Sequence, residues 1–410
     1  MEHFNETDYI YFKELRKKHK VLKLKIELLS ELENAIGEIT KYFSKGTNGQ
    51  ININYQQLLR RSCSLTIANI DKQYDDISWW IDRKFKLWIG LVAGKDIYWF
   101  SQGVFLTKDS KIDNHTLSIE AVDKGGFLDG TIKTNMIVAP VVIEQGSNIA
   151  QFFRDTLLLN DNQNIIDPAQ PIINKAFNNA IIETEIAVKR GEYVGNIFKN
   201  IADAYSADIF YDVDGRFNFE VLAEGNRGDG YNLLPSSFDF TFEDITWIQP
   251  DINMQSDYVN AVTVYTNITA KNSKGESIPN IEYTAYNNNP ISPLRISAVR
   301  IRQNEPQEIK YINVLSSRMK ELCREYANYL LFKNSMIALS VSFNSQIIPH
   351  LDVNRVITIT DKNKGLDMAR FVIQSITIPL SAGEMSIQAT NTQILPIDTN
   401  MEGGANGRLH

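Results

Sequence analysis

Asp212-Val213-Asp214-Gly215 sets two carboxylates two residues apart ahead of a glycine, as the start of a calcium-binding loop does. The third acidic position and the closing glutamate are missing. Asp-Gly between two alternating apolar runs is instead the mark of a tight hairpin, a type I′ turn with positive φ at both central residues. Asp75-Asp76 and Glu183-Thr184-Glu185 supply the paired carboxylates that glycoside hydrolysis uses. Acids so close together in a strand or loop are expected to be solvated rather than catalytic. The five histidines stand at 3, 19, 115, 350 and 410, and none has a cysteine nearby. Cys63 and Cys323 are 260 positions apart, which suits two reduced, buried thiols better than a metal site or a disulfide framework. There is no P-loop and no HExxH, and Gly125-Gly126-Phe127-Leu128-Asp129-Gly130 lacks the spacing of a dinucleotide loop. No catalytic residue, cofactor site or metal site is expected, and the chain is read as a non-enzyme.

One aromatic-rich region remains, with Trp79-Trp80, Trp88, Tyr98-Trp99 and Phe100. Such rings can stack on sugars, fill a core or anchor an interface. Packing and anchoring are preferred. Trp79, Trp80 and Trp88, together with Arg60 and Arg61, are the residues expected at an assembly interface.

The elements that must position these residues are mostly strands. Leu22–Leu28, Ile51–Tyr55, Ser64–Ala68, Phe85–Ile89, Val104–Thr107 and Thr116–Val122 alternate or read as short apolar runs between turn residues. Residues 147–159 and 193–206 carry apolar side chains three to four apart, which predicts two helices; the second runs into the Asp208–Val221 hairpin. Residues 310–332 predict a longer helix whose face carries Leu315, Met319, Leu322, Tyr326 and Leu330. Strands at 339–343, 356–360, 371–378 and 384–390 follow. The expected fold is mainly β with an α+β insert: two tube-like antiparallel β-barrels flanking a smaller mixed domain. The corresponding boundaries are 1–20 for a basic N-terminal helical arm and 21–130 for the first barrel. The insert takes 131–255, the second barrel with its long helix 256–392, and a flexible tail 393–410.

The two β regions resemble each other. Leu65–Asn69, Phe85–Ile89, Gly103–Thr107 and Leu117–Ala121 succeed one another at spacings of 20, 18 and 14. Leu339–Phe343, Val356–Thr360, Phe371–Ser375 and Met385–Ala389 do so at 17, 15 and 14, with Leu-Ser-Ile-Glu-Ala closing one set and Met-Ser-Ile-Gln-Ala the other. Aligned by spacing, Trp88 falls on Ile359.

Composition bounds the function further. The chain has 410 residues, a net charge of −7 and 43% hydrophobic residues, enough for a sizeable core. A negative balance argues against gripping phosphate backbones, although Arg16, Lys17, Lys18, His19 and Lys20 form a local basic cluster. That cluster is expected to be solvated or docked on an acidic neighbour. The acidic, polar N-terminus is not expected to be a signal peptide, and no apolar run is long enough for a membrane-spanning helix.

Four passages give the chain a family likeness. They are Leu59–Ile67; Phe100–Leu106 with Leu117–Lys124; Ala204–Ile209 leading into Tyr211–Arg216; and Pro349–Ile357 with the hairpin around Gly383–Ile387. In these it resembles the hub proteins of bacteriophage tail tips and baseplates. The resemblance implies a homotrimeric ring with two tube-like barrels per chain. It implies contacts to a tail tube or distal tail protein on one side and to a spike, fibre or tape-measure protein on the other. It also implies residence in the virion after assembly in the host cytoplasm, with genome DNA passing through without specific binding. A carbohydrate-binding adhesion module and a cell-wall polysaccharide-degrading enzyme are the alternatives.

Overall fold

The computed structural model describes residues 8–17, 20–43, 47–55, 57–69, 72, 80, 83–113, 115–132, 141–158, 167–182, 185–205, 207–221, 235–253, 258–266, 280–290, 292, 294–309, 316–334 and 338–391. The protein is mostly β. Helix α1 (Asp8–Leu15) precedes β1 (Leu22–Leu29), β2 (Ala35–Tyr42), β3 (Thr47–Asn54), β4 (Arg61–Ala68), β5 (Lys84–Ala93), β6 (Asp96–Ile112) and β7 (Thr116–Asp123). Then come α2 (Gly125–Leu128), β8 (Val141–Ile143), α3 (Ile149–Leu157), β9 (Ile172–Ile173), β10 (Ile186–Val188), α4 (Val194–Ala204), β11 (Ala207–Tyr211) and β12 (Phe217–Val221). The rest is β13 (Asp239–Thr241), β14 (Ile245–Asn253), β15 (Ala261–Thr266), β16 (Glu282–Tyr286), β17 (Gln307–Ile309), α5 (Ser316–Asn334), β18 (Ala338–Gln346), β19 (Val356–Asp361), β20 (Leu366–Pro379) and β21 (Glu384–Asn391).

Both β regions belong to one sheet, in the order β14-β18-β21-β20-β3-β4-β7-β6-β5-β1-β2, with β19 on β20 and β13 on β19. Alternation drives it. In β4, Arg61, Cys63, Leu65 and Ile67 are buried while Ser62, Ser64, Thr66 and Ala68 are half-exposed, as a period of two demands. The buried sides of the two regions share one core, in which Leu65, Phe85, Phe105, Phe343, Phe371 and Ile387 all take part.

The repeat is present in the pairing. β4 pairs with β7, β7 with β6 and β6 with β5, all antiparallel. β18 pairs with β21, β21 with β20 and β20 with β19, again antiparallel. Bulges, which are placed features rather than defects, fall at matching points. One lies between Thr107 and Asp109 of β6 and between Ile373 and Ser375 of β20. The other opens after the Leu87–Gly103 pair, where β6 has the extra residue, and after the Ile359–Ala369 pair, where β20 has one residue more than β19. The Thr107 amide donates to the Arg83 carbonyl at 3.0 Å and the Ile373 amide to the Arg355 carbonyl at 3.0 Å. These marks fix the true register. Leu117 matches Met385 as the spacing places it, but Leu65 matches Phe343 rather than Leu339. Leu87 takes the place opposite Ile359, and Trp88 matches Thr360, which corrects the Trp88–Ile359 alignment. Loops of unequal length absorb residues that a count of spacings cannot see.

Two smaller units stand apart from the large sheet. In one, α3 and α4 pack on the β11–β12 hairpin around Phe153, whose ring lies 4.6 Å from Phe198 and 4.8 Å from Phe219. Asn148 caps α3, its side chain accepting from the Gln151 amide. In the other, β15, β16 and β17 form a three-stranded sheet under α5. The face of α5 that meets it is Cys323, Ala327 and Leu331, with Tyr326 and Leu330 at its margin. Of the face expected from the sequence, Tyr326 and Leu330 lie at that margin, and the side chains of Met319 and Leu322 are outside the described residues. Leu315 lies outside the described residues. β13 and β14, inside the 131–255 stretch, pair in the large sheet with β19 and β18.

Candidate functional site

Three parts of the chain meet at Arg60 and Arg61. Arg60 Nη2 donates to Asp208 Oδ2 of β11 at 2.5 Å, and its guanidinium lies 3.6 Å from the centre of the Phe210 ring. Arg61 turns the other way. It donates to Asp352 Oδ2, just before β19, at 2.5 Å and to the Tyr211 carbonyl at 2.8 Å. Asp123 anchors the pair from β7, accepting from the backbone amides of Arg60, Arg61 and Gly125 at 2.9, 2.7 and 2.9 Å. Burial pushes the Asp123 carboxyl up to about 6 and raises Asp208 as well, against the pull of the arginines. Both arginines are almost fully buried, at 3% and 0% exposure. They hold the α+β insert and the second β region against the first, within one chain.

The Asp212–Gly215 turn is a docking element. Asp212 Oδ1 accepts from the Asp214 and Arg216 amides, each at 2.9 Å, and Gly215 alone takes a positive φ, 75°. It is therefore a three-residue loop ending in a left-handed glycine, not a type I′ turn. Asp214 pairs with Lys86 at 2.7 Å, Ser101 Oγ donates to the Val213 carbonyl, and Lys124 donates to the Gly215 carbonyl at 2.7 Å. A Cβ on Gly215 would sit 2.6 Å from Val104 Cγ2, so glycine is needed there for the fit as well as for φ. Lys124, fully buried, also pairs with Glu33 at 2.6 Å and with Asp167, whose other oxygen accepts from the Tyr211 hydroxyl at 2.7 Å. Every carboxylate here is committed to a structural partner. No group of three metal-ligating side chains occurs among the described residues.

The aromatic region divides between the two faces of the sheet, because successive residues of a strand point opposite ways. Trp80 is fully buried in the core, and Tyr98 and Phe100 pack against that core. Trp88 lies on the other face, half-buried. Lys25 sits 4.6 Å from its ring centre and Lys86 4.5 Å, and its indole N–H donates to Glu27 Oε2 at 2.7 Å. Lys25 also covers Trp99 at 5.1 Å. A sugar could stack on these rings only by displacing the lysines. Trp79, Asp75, Asp76 and Glu183 lie outside the described residues.

The exposed face of β3, β20, β21, β18 and β14 carries rows of hydroxyls and amides, while farther along the sheet Glu120 of β7 lies on the same face. One row crosses five strands as Asn54, Ser375, Gln388, Ser342 and Gln249; another runs Asn52, Thr377, Ser386, Asn344. Thr377 donates to Asn52 at 3.1 Å and Ser375 to Gln388 at 3.2 Å. Neither row holds a charge. Sequence reading missed this face, although the alternating Asn, Gln and Ser of β3 and β4 are its sign.

The N-terminal helix is part of the core. Tyr11 and Leu15 are each 1% exposed, and the Tyr11 hydroxyl bonds His350 Nδ1 at 2.6 Å. His350 sits among Tyr11, Phe12, Phe100 and Phe238, its Nε2 3.1 Å from the Ser237 carbonyl, and burial holds its pKa down to about 4. Arg16 pairs with Asp244 at 3.1 Å, so the basic end docks on an acidic neighbour in its own chain. Lys18 and His19 lie outside the described residues, and the helix ends at Leu15 rather than at 20.

No family model and no curated protein matches the sequence. Solved structures do match in fold. The 43 kDa tail protein of prophage MuSo2 from Shewanella oneidensis is 11% identical, with a TM-score of 0.53 over 91% of this chain and 100% of that one. A tail protein from Neisseria meningitidis MC58 is 12% identical, with a TM-score of 0.55 over 91% and 98%. A chain of the Francisella PdpA-VgrG complex is 9% identical, with a TM-score of 0.52 over 97% of this chain and 56% of that one. The fold is thus that of phage tail proteins and of a VgrG-type assembly. No helix among the described residues is long and apolar enough to cross a membrane.

Proposed function

We propose that the chain is the structural hub of a phage tail tip or baseplate. Three copies form a ring that joins a six-fold tail tube to distal spike, fibre or tape-measure proteins. The observation that carries this is the repeat. One chain holds two four-stranded blocks with the same pairing and the same bulges, so three chains offer six like blocks to six like partners. The uncharged rows of Asn, Ser, Thr and Gln suit the wall of a channel, since they neither bind phosphates nor repel them strongly. DNA passes over it without specific binding. Trp88 and the lysines around it are the exposed part of the expected interface, and they face a neighbouring protein of the tail. The protein resides in the virion after assembly in the host cytoplasm and has no catalytic role. The lysines over Trp88 and Trp99 occupy the faces on which a sugar would stack, so no described ring of that cluster favours the sugar-binding alternative. Labelling tails with antibody against this chain tests the reading: label should sit at the distal end of the tail. Label along the whole tube, or on the head, would contradict it.

A further inference from the structure

A buried amine and a buried acid meet where the first β region joins the insert. Lys124 follows the end of β7 and is fully buried, and Asp167, in the insert ahead of β9, is 1% exposed. The Lys124 nitrogen touches Asp167 Oδ1. Among the described residues that oxygen takes part in no hydrogen bond, so the nitrogen meets the carboxyl group outside hydrogen-bond geometry. The carboxyl carbon lies one C–O bond, about 1.2 Å, beyond the oxygen. That puts it within range of attack by the nitrogen.

Two further groups close on this pair. Glu33 Oε1 lies 2.6 Å from Lys124 Nζ. Glu33 sits in the β1–β2 turn at a φ of 60°, a left-handed conformation that a residue with a side chain keeps only where its surroundings enforce it. Lys84 enforces it, donating to the Glu31 carbonyl at 3.2 Å and to Glu33 Oε1 at 3.0 Å. On the far side, the Tyr211 hydroxyl donates to Asp167 Oδ2 at 2.7 Å. Burial raises the Tyr211 hydroxyl well above its ordinary range, so it remains a donor. Burial also raises the Asp167 carboxyl, against the pull of Lys124, which favours the acid form.

Amide formation needs an amine against an acid, a group to carry the amine's proton and a donor on the carboxyl oxygen. The geometry points to a bond that the chain makes to itself, an amide between Lys124 Nζ and Asp167 Cγ. Of the three ammonium protons, one moves to Asp167 Oδ1, one passes through Glu33 and one stays on the nitrogen. Nζ bonds to Cγ as the C=O electron pair moves onto Oδ2, where the Tyr211 hydroxyl holds the charge. When that pair returns, the Cγ–Oδ1 bond breaks, and the oxygen leaves as water with the first two protons. The Gly215 carbonyl, 2.7 Å from Nζ, accepts the N–H that remains. This is one self-modification per chain, not turnover.

The bond closes residues 124–167 into a covalent loop that carries α2, β8 and α3. Arg60 and Arg61 hold the same junction by charge. Acid and denaturant undo ion pairs and leave an amide intact, so the link keeps the insert on the first β region when the rest of the junction opens. The inference does not depend on the hub reading.

The test is the mass of the purified full-length chain. It should lie one water below the mass that the sequence requires, and stay there in denaturant. Trypsin should leave Lys124 uncut and release one branched peptide that joins the Lys124 and Asp167 segments. Lys124→Met and Asp167→Ala should each restore the full mass. Glu33→Gln, with its fold checked by circular dichroism, should slow accumulation of the linked form after synthesis at least about tenfold. If the variants fold poorly, the native chain decides alone. The full sequence mass after long incubation overturns the proposal, and so does a lost water that maps to an unbranched peptide. A branched peptide joining Lys124 or Lys84 to Glu33 overturns it as well. Linkage at the native rate in a folded Glu33→Gln chain overturns the role given to Glu33.

Discussion

The first and second β blocks share a backbone and differ in what is attached to it. In the first, β1 lies antiparallel beside β5; in the second, β13 takes the matching edge of β19 and runs parallel. At the end of the first block stands Asp123, buried and gripping three backbone amides at the entry to the insert. Its counterpart is Asn391, where β21 ends. The outer strands of the first block carry the lysine-covered Trp88; the second has Thr360 there. The pairing and the bulges define the block, and the edges and loops are free to take on different neighbours. A ring of alternating blocks needs that division.

The deepest break in the comparison lies at Arg61, which matches Leu339 in the second block. Arg61→Ala leaves Asp352 without its buried partner and should cost about 3–5 kcal/mol of unfolding free energy, read by chemical denaturation. A loss under about 1 kcal/mol would mean that the three parts are not held together there. Next comes the seam where β20 pairs with β3. Ile376→Ala removes a side chain 1% exposed in the β20–β3 seam and should cost about 2–4 kcal/mol. Ser110→Ala, at the matching place in β6 where it pairs with β7 alone among the described residues, should change stability by less than about 0.5 kcal/mol. Equal losses would contradict this contrast.

A third contrast is between His350 and Asp123. The folded state holds His350 neutral down to about pH 4, so between its ordinary pKa near 6.5 and 4 the unfolded chain binds more protons. Stability from this group is complete above about pH 6.5 and falls as pH drops, by about 2–3 kcal/mol by pH 4. Asp123, raised to about 6, acts with the opposite sign. The difference between the native chain and His350→Gln isolates the histidine, and stability curves that stay parallel from pH 7 to 4 would refute it. The smallest effect on folding is expected at Trp88. Trp88→Ala should cost only about 1 kcal/mol yet lower incorporation into tails, measured by quantifying the chain in purified particles. Unchanged incorporation would remove Trp88 from the interface.

Much of this fold is visible in the amino-acid order, because alternation in β4, β7, β18 and β21 and the periodicity of α3 and α4 are local properties. The repeat is visible too, but its register is not: loops of different length shift three of the four strand pairs away from simple spacing. The junction is hidden for a different reason. Arg60 meets Asp208 across 148 positions and Arg61 meets Asp352 across 291, and nothing near an arginine in sequence reveals such a partner. These two residues and Trp80 look like interface anchors, but they serve contacts inside the chain. The basic helix misleads similarly, since its charges dominate the composition while Tyr11 and Leu15 decide where it sits.

The central claim is that two blocks in one chain let three chains match a six-fold partner. A reconstruction of the particle at a resolution that separates strands tests it most directly. The account predicts three copies on the tail axis, with first and second blocks alternating around the ring beneath the last six-fold layer of the tube. Six copies in that ring, or no copy on the axis, would contradict it.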